Sequence, residues 1–338
     1  MIGALALVLV LWMPDSGFAQ SSSNTGPVPT QAAVTVNQAS TQSVISVVSS
    51  SVQASLAQAT MSGIRMPQPA QTSGLTPSGI SSGDSPGLPG SAWTTGDYTA
   101  LRINPDGNTD QRRLSDIYSL VGGGDVKVLD NVAVGLAGAY TYAGTDGRNT
   151  NWTRVTQMMR TYTVTPYVGW SITDHLMVDG LLGYSYSDIA TKDFKSGSLV
   201  SSSTYSDTVF TSVNASYFIP MEVFTLKPFA GISGQSSRTA AYRDSKGSDT
   251  VGDQSVHWLA HVGTQASCPI ADTALAYVSA AYERDRHQAG ISENSARLSA
   301  GLEDGLTKDL GLIVEATANV GRETQSDLGG SANLRLSF

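Results

Sequence analysis

His257 and His261 stand four residues apart, a spacing that on a helix would turn both imidazoles to one side and let them share a zinc ion. The surrounding stretch, Val256 to Thr264, alternates in the manner of a strand. On a strand the same spacing separates the pair by about 13 Å at 3.3 Å per residue, too far to hold one metal. The two therefore read as polar side chains facing an interior; the other two histidines are His175 and His287. Glu283 and Asp285 could serve as paired acids, but Arg284 lies between them and all three read as a solvated loop mouth. Gly122 to Gly124 lacks the lysine and spacing of a phosphate loop, and no Gly-x-Ser-x-Gly nucleophile elbow occurs. Cys268, the single cysteine, sits beside Pro269 in an expected turn and can form no internal disulfide. No catalytic residue, metal site or cofactor site is expected, which leaves a site assembled across loops as the only enzymatic alternative.

Composition narrows the elements that must carry these residues. Charged residues make up 14% of the chain, against about 25% in an ordinary soluble domain, while glycine occurs 34 times. Mean hydropathy is only -0.07. Beyond the N-terminus no run of about 18 apolar residues exists that could cross a bilayer as a helix. A net charge of -8 without clustered Lys or Arg excludes a nucleic-acid partner. Strands that need apolar residues on one side only satisfy both facts.

Alternation begins after Trp93. Val132, Val134, Leu136, Tyr140 and Tyr142 oppose Ala133, Gly135, Ala137, Ala139 and Thr141; Tyr162, Val164, Pro166, Val168 and Trp170 oppose Thr163, Thr165 and Gly169. Leu176, Val178, Leu182, Tyr184 and Tyr186 likewise oppose Asp179, Gly183, Ser185 and Ser187. A period of two with aromatics near the strand ends suits a wall with one face in lipid. The same reading covers 93–103, 116–128, 209–219, 224–233, 256–264, 273–282, 295–302, 311–320 and the terminal 331–338, twelve strands with those above. The fold class is all-β: a twelve-stranded antiparallel transmembrane β-barrel of the bacterial outer membrane, expected as a monomer. A soluble sandwich is the alternative, but its outer face would carry many more charges. Asp179, Lys227, Arg297, Glu303, Glu315 and Arg335 fall on the small-residue face. A Lys or Arg at the lipid midplane costs about 2–4 kcal/mol, so these six are the candidate lumen-facing residues.

Upstream, Ile2 to Met13 with small residues at Gly17 and Ala19 reads as a signal peptide, 1–19, although no Lys or Arg precedes it. Residues 20–92 are a Ser/Thr/Pro-rich segment, expected to be mostly disordered, ending in a Pro/Gly linker. Within it Val44, Val48, Val52 and Leu56 recur every four residues beside Ile45, the stripe of a helix at 42–60, though spacing alone fits an accidental pattern equally well. Its valines and serines are mediocre helix formers, so the helix would need a surrounding wall.

Gly124 and Asp125 before the run 132–142, Tyr167 with Gly169 and Trp170, Gly183 to Asp188, Lys227 to Gly231 and the ending Leu334 to Phe338 together resemble the C-terminal β-barrel translocator domain of autotransporters (type V secretion), over 93–338. The resemblance implies a pore helix, for which 42–60 is the candidate, and a short N-terminal passenger or linker carried through the pore to the cell surface. Leu334, Leu336 and Phe338 would form the signal read by the outer-membrane barrel assembly machinery. Outer-membrane lipid and periplasmic chaperones are the other implied partners. Part of the family cleaves itself at an asparagine on the pore helix with help from lumen acids; the nearest asparagine, Asn37, precedes the stripe, so the chain is expected to stay uncleaved. The alternative function is a stand-alone barrel acting as structural protein, adhesin scaffold or small pore.

Overall fold

The computed structural model describes residues 28–61, 90–103, 113–148, 154–195, 197–271, 273–287, 292–307, 309–322 and 325–338. The expected signal peptide and the linker at 62–89 lie outside them. Twelve long strands form one antiparallel meander: β1 Gly90–Ile103, β2 Arg113–Leu129, β3 Val132–Arg148, β4 Arg154–Ser171, β5 Leu176–Lys195, β6 Ser198–Tyr217, β7 Thr225–Thr239, β8 Asp253–Pro269, β9 Ala274–His287, β10 Ser292–Gly305, β11 Leu310–Val320 and β12 Gln325–Ser337. Each pairs with its sequence neighbours, and β1 pairs with β12 from Ser91↔Ser337 to Ile103↔Gln325, which closes the barrel and leaves no free edge. Many strands run further than the alternation alone suggested; β2, for example, begins at Arg113 rather than 116.

Alternation sorts the side chains. Leu120, Leu136, Leu182 and Leu328 point outward and are more than half exposed, a surface that only lipid can cover. The inner face carries Ser, Thr, Gly, Ala and charges such as Asp125, Asp179 and Arg335, while outward charges such as Asp116, Asp188 and Asp207 accept from Tyr98, Tyr186 and Tyr184 of the tyrosine belt. In the belt Tyr98 lies opposite Tyr118, which lies opposite Tyr142 on β3; Tyr140 of the same strand lies opposite Tyr162, which lies opposite Tyr186. Ring centroids of 5.0 Å (Tyr98–Tyr118) and 5.4 Å (Tyr140–Tyr162) hold it together at the interfacial level where amphipathic rings are favoured.

The strand ends joined by the longest connections, 104–112 and 240–252, lie on one side of the barrel and mark it as extracellular; Gly90 and Phe338 lie at the other, the periplasmic end. In the 240–252 connection Arg243 grips Asp249 with two hydrogen bonds (2.6 and 2.9 Å), which hold the Asp249 carboxyl below its ordinary value.

Helix α1, Val28–Met61, stands inside the barrel. It begins at Val28 rather than the expected 42, with Pro29 in the first turn, where its missing N–H leaves no intrahelical bond unmade. Ala33 and Val36 bury against Leu101, Ile103, Ile117, Met159 and Ile189 near the extracellular end. Val44, Ile45, Val48, Val52 and Leu56 bury against Trp93, Val121, Ala137, Tyr167 and Leu181 further down. Each such burial contributes about 1.5–3 kcal/mol, which a serine-rich helix could not find in water. No described helix is long and apolar enough to cross a membrane; α1 carries no charged residue and reaches its depth within a protein wall.

Candidate functional site: the helix and its lumen

Helix α1 rests against β1–β6 and meets the barrel through polar contacts along its length. Lowest is a knot around Asp125, a buried lumen residue of β2. Ser55 of the helix donates to its carboxylate (2.9 Å), Ser91 donates to Oδ1 (2.9 Å) and Tyr167 OH to Oδ2 (3.1 Å), while Trp93 Nε1 donates to Tyr167 OH (3.0 Å). Arg335, buried on β12, reaches into the same knot. Its Nη1 donates to the Ser51 carbonyl (2.6 Å), its Nη2 to Ser91 Oγ (2.6 Å) and to Ser55 Oγ, and Nη2 lies 3.6 Å from Asp125 Oδ2. A guanidinium suits this position because its fixed fork serves several acceptors at once.

Two residues further up the helix, Asp179 accepts from Ser49 (2.9 Å), Gln53 (3.0 Å) and Asn214 (2.8 Å), and Lys227 donates to Gln53 Oε1 (3.4 Å). Asp179 and Lys227 are thus brought to one helix residue. Higher up, Ser43 donates to Asp97 (2.9 Å). Asn37, expected upstream of the helix, lies on it; its amide donates to Thr208 (2.8 Å) and Ser237 (3.4 Å), hydroxyls rather than a carboxylate.

The remaining candidates stand on the opposite wall. Arg297 lies 3.3 Å from Glu283, which also accepts from Arg322 (3.1 Å), Asn319 (2.8 Å) and Ser295 (3.2 Å). Glu315 accepts from Tyr277 OH (2.8 Å), and Glu303 is exposed to the lumen. Glu283 and Asp285 correct the loop-mouth reading: both are on β9 and buried, with Asp285 facing His257 and Arg322. Their odd-numbered positions share the inward face of an extended strand while Arg284 points out, a distinction that charge density in the sequence hides. His257 and His261 both lie on strand β8, His261 packing 6.0 Å from the Phe229 ring. His175 sits in the β4–β5 turn beside Tyr217, and exposed Cys268 ends β8. Among the described residues no group of three or more His, Cys, Asp or Glu is placed to hold a metal.

Sequence reasoning missed Asp125, Ser51, Ser55, Asn214 and Glu283 as a set. Asp125 had a signal: it shares the inward register of β2 with Val121 and Gly123. Ser51 and Ser55 had none, because a serine on a helix is ordinarily a solvated one.

A family model for the autotransporter β-domain matches residues 92–333. The chain belongs to the autotransporter family. Its barrel superposes on the translocator domain of the autotransporter NalP from Neisseria meningitidis with a TM-score of 0.66 at 13% identity, covering 85% of this chain and 98% of that one. The β-domain of the Bordetella autotransporter BrkA gives 0.64 at 16% identity, with 74% and 100% covered. The transport unit of AIDA-I from Escherichia coli gives 0.54 at 14%, with 83% and 98% covered. No curated protein matches the sequence. Membership places this autotransporter barrel in the bacterial outer membrane and makes it a translocator, a transport structure. Its alternation expresses the same location physically, with apolar side chains turned to lipid and small polar residues and buried charges to the lumen.

Proposed function

We propose that this barrel carries its own N-terminal segment through the lumen to the cell surface and retains α1 as the plug and tether. The observation that carries the reading is the direction of α1: Ala33 and Val36 pack near the extracellular end, and Ser55 and Leu56 reach the periplasmic end, where β1 also starts. Chain preceding Val28 accordingly leaves on the outside. An epitope tag after Ser22 is the test. In intact cells with the barrel in the outer membrane, antibody and added protease should reach it. A tag hidden until the membrane is permeabilised would instead make α1 the plug of a stand-alone barrel. The same blots should show one full-length species apart from signal removal, because Asn37 faces hydroxyls; a separate N-terminal fragment would refute that.

The outward row Leu334, Leu336 and Phe338 supports recognition by the barrel assembly machinery, with periplasmic chaperones acting earlier. Phe338 joins Gly90 through two backbone hydrogen bonds of 3.0 Å at the closing seam, and the residue is 60% exposed. Deleting Phe338 should lower the amount of heat-modifiable, membrane-inserted barrel severalfold, while an unchanged yield would remove the residue from the signal.

A further inference from the structure

The outer face of the barrel is basic at one end only. Among the described residues every Lys or Arg that points outward from a strand stands on the extracellular half, Arg102, Arg160, Lys192, Arg238, Arg284 and Arg286 among them. The described residues of the periplasmic turns carry Asp130, Asp174, Glu222 and Asp309 and no Lys or Arg. The outward carboxylates of the extracellular half are fewer, and each is engaged: Asp146 by Arg154, and Asp116, Asp188 and Asp207 by the hydroxyls of Tyr98, Tyr186 and Tyr184. Register gathers part of the basic set on β3–β7. Arg160 lies between Tyr142 and Asp188, Asp188 lies opposite Tyr205, and Tyr186, one outward position below Asp188, lies opposite Asp207, whose other neighbour is Arg238. Lys192 stands two outward positions above Asp188 on β5. The Tyr186 and Tyr205 rings stack at 6.0 Å among these cations.

We propose that this outer face of β4–β7 holds the phosphorylated sugar headgroup of a lipopolysaccharide in the outer leaflet, with Arg160, Lys192 and Arg238 on its phosphates and the Tyr186–Tyr205 stack against its sugars. Position and charge select the occupant. Directly below the patch the outward residues are Val164, Leu182 and Val209, a surface for acyl chains, so the group that reaches the cations is the headgroup of a lipid already lying on the wall. Arg160 and Arg238 stand on strands three spacings apart, about 14 Å at roughly 4.8 Å each, which suits separate phosphates on one broad headgroup. A guanidinium fork matches phosphate geometry, and amphipathic rings are favoured at the membrane interface. The acidic periplasmic rim offers no such site, which ties the preference to one leaflet.

Retention of lipid by the full chain in nonionic detergent tests this. The folded barrel is mixed with phosphorylated lipid A, re-isolated, and the glycolipid kept per barrel is measured by mass spectrometry. The parent should keep lipid A, keep severalfold less of the same lipid stripped of its phosphates, and not release it to an excess of phosphatidylglycerol. The triple variant Arg160→Gln, Lys192→Gln, Arg238→Gln should lose retention severalfold, whereas Glu222→Gln at the periplasmic end should behave as the parent. Heat-modifiable migration shows whether each barrel is closed, and the lipid comparisons on the parent stand whether or not the triple variant folds. Equal retention of the dephosphorylated lipid, or full retention by a closed triple variant, would overturn the proposal. Displacement by phosphatidylglycerol would overturn it too, leaving a surface for any anionic lipid.

Discussion

Replacing Gly169 with leucine should unseat helix α1 while leaving the barrel closed. Gly169 lies on the inner face of β4, where an added Cβ would come 2.4 Å from Val52 Cγ1 and 2.7 Å from Leu56 Cδ1. Those are the two lowest residues of the apolar stripe, both 1% exposed. Val52 is β-branched and stiff about χ1, so it cannot swing aside cheaply. The β4 backbone cannot retreat either, because it is bonded to β3 and β5 on both sides. Overpacking by a single methyl costs about 1–3 kcal/mol, roughly 5- to 150-fold in the occupancy of the seated state, and leucine adds three more carbons at the same point. A cysteine at position 48 in the Cys268→Ser background reports the outcome: protected in the parent, it should react with a soluble maleimide in Gly169→Leu. Gly169→Ala should be intermediate, and Val52→Ala should restore its protection by making room. Protection unchanged in Gly169→Leu would mean that α1 does not bear on β4 as described.

Replacing Arg335 with methionine should loosen the helix from its lower end. The substitution keeps the length of the side chain and removes the donors that serve the Ser51 carbonyl, Ser55 and Ser91, and with them the positive charge beside Asp125. Removing one partner from a buried pair costs about 3–5 kcal/mol, chiefly because the other charge is left uncompensated. Roughly two to three and a half orders of magnitude in helix seating therefore depend on Arg335. Pairing the change with Asp125→Asn should return much of the loss, since replacing both members of a buried pair costs far less than removing one. Reactivity of the Val48→Cys thiol measures seating, and heat-modifiable migration on gels reports separately whether the barrel is intact. If Arg335→Met and the double variant behave alike, Arg335 and Asp125 are not coupled and the knot holds the helix by its hydroxyls alone.

The wall was legible because lipid and lumen impose opposite demands on neighbouring residues. Runs such as Val132 to Tyr142 and Tyr162 to Trp170 show both faces without reference to any other part of the chain, and the twelve strands follow from them. The six charges read as lumen-facing were drawn from the same alternation. Helix α1 was half legible. Its stripe from Val44 to Leu56 was visible, with an accidental pattern as the equal alternative, but the stretch from Ala33 to Thr41 buries Asn37, Ser40 and Thr41 along with Val36, and buried polar residues do not register as a stripe.

By itself, then, the sequence determined an all-β barrel with a charged interior, because alternation is a local property set by solvent on the two faces of each strand. Only the tertiary structure decided what meets inside. Asp125 and Arg335 lie 210 positions apart and come together because β12 closes on β1 and sets Arg335 opposite Trp93, within reach of Ser91 and the helix. Gly169 becomes a seat only once Val52 and Leu56 are laid against it, and Glu283 becomes a buried anion only once Arg297 and Arg322 face it across the strands. Burial and charge pairing in the lumen are properties of closure, and closure joins residues that no local pattern relates.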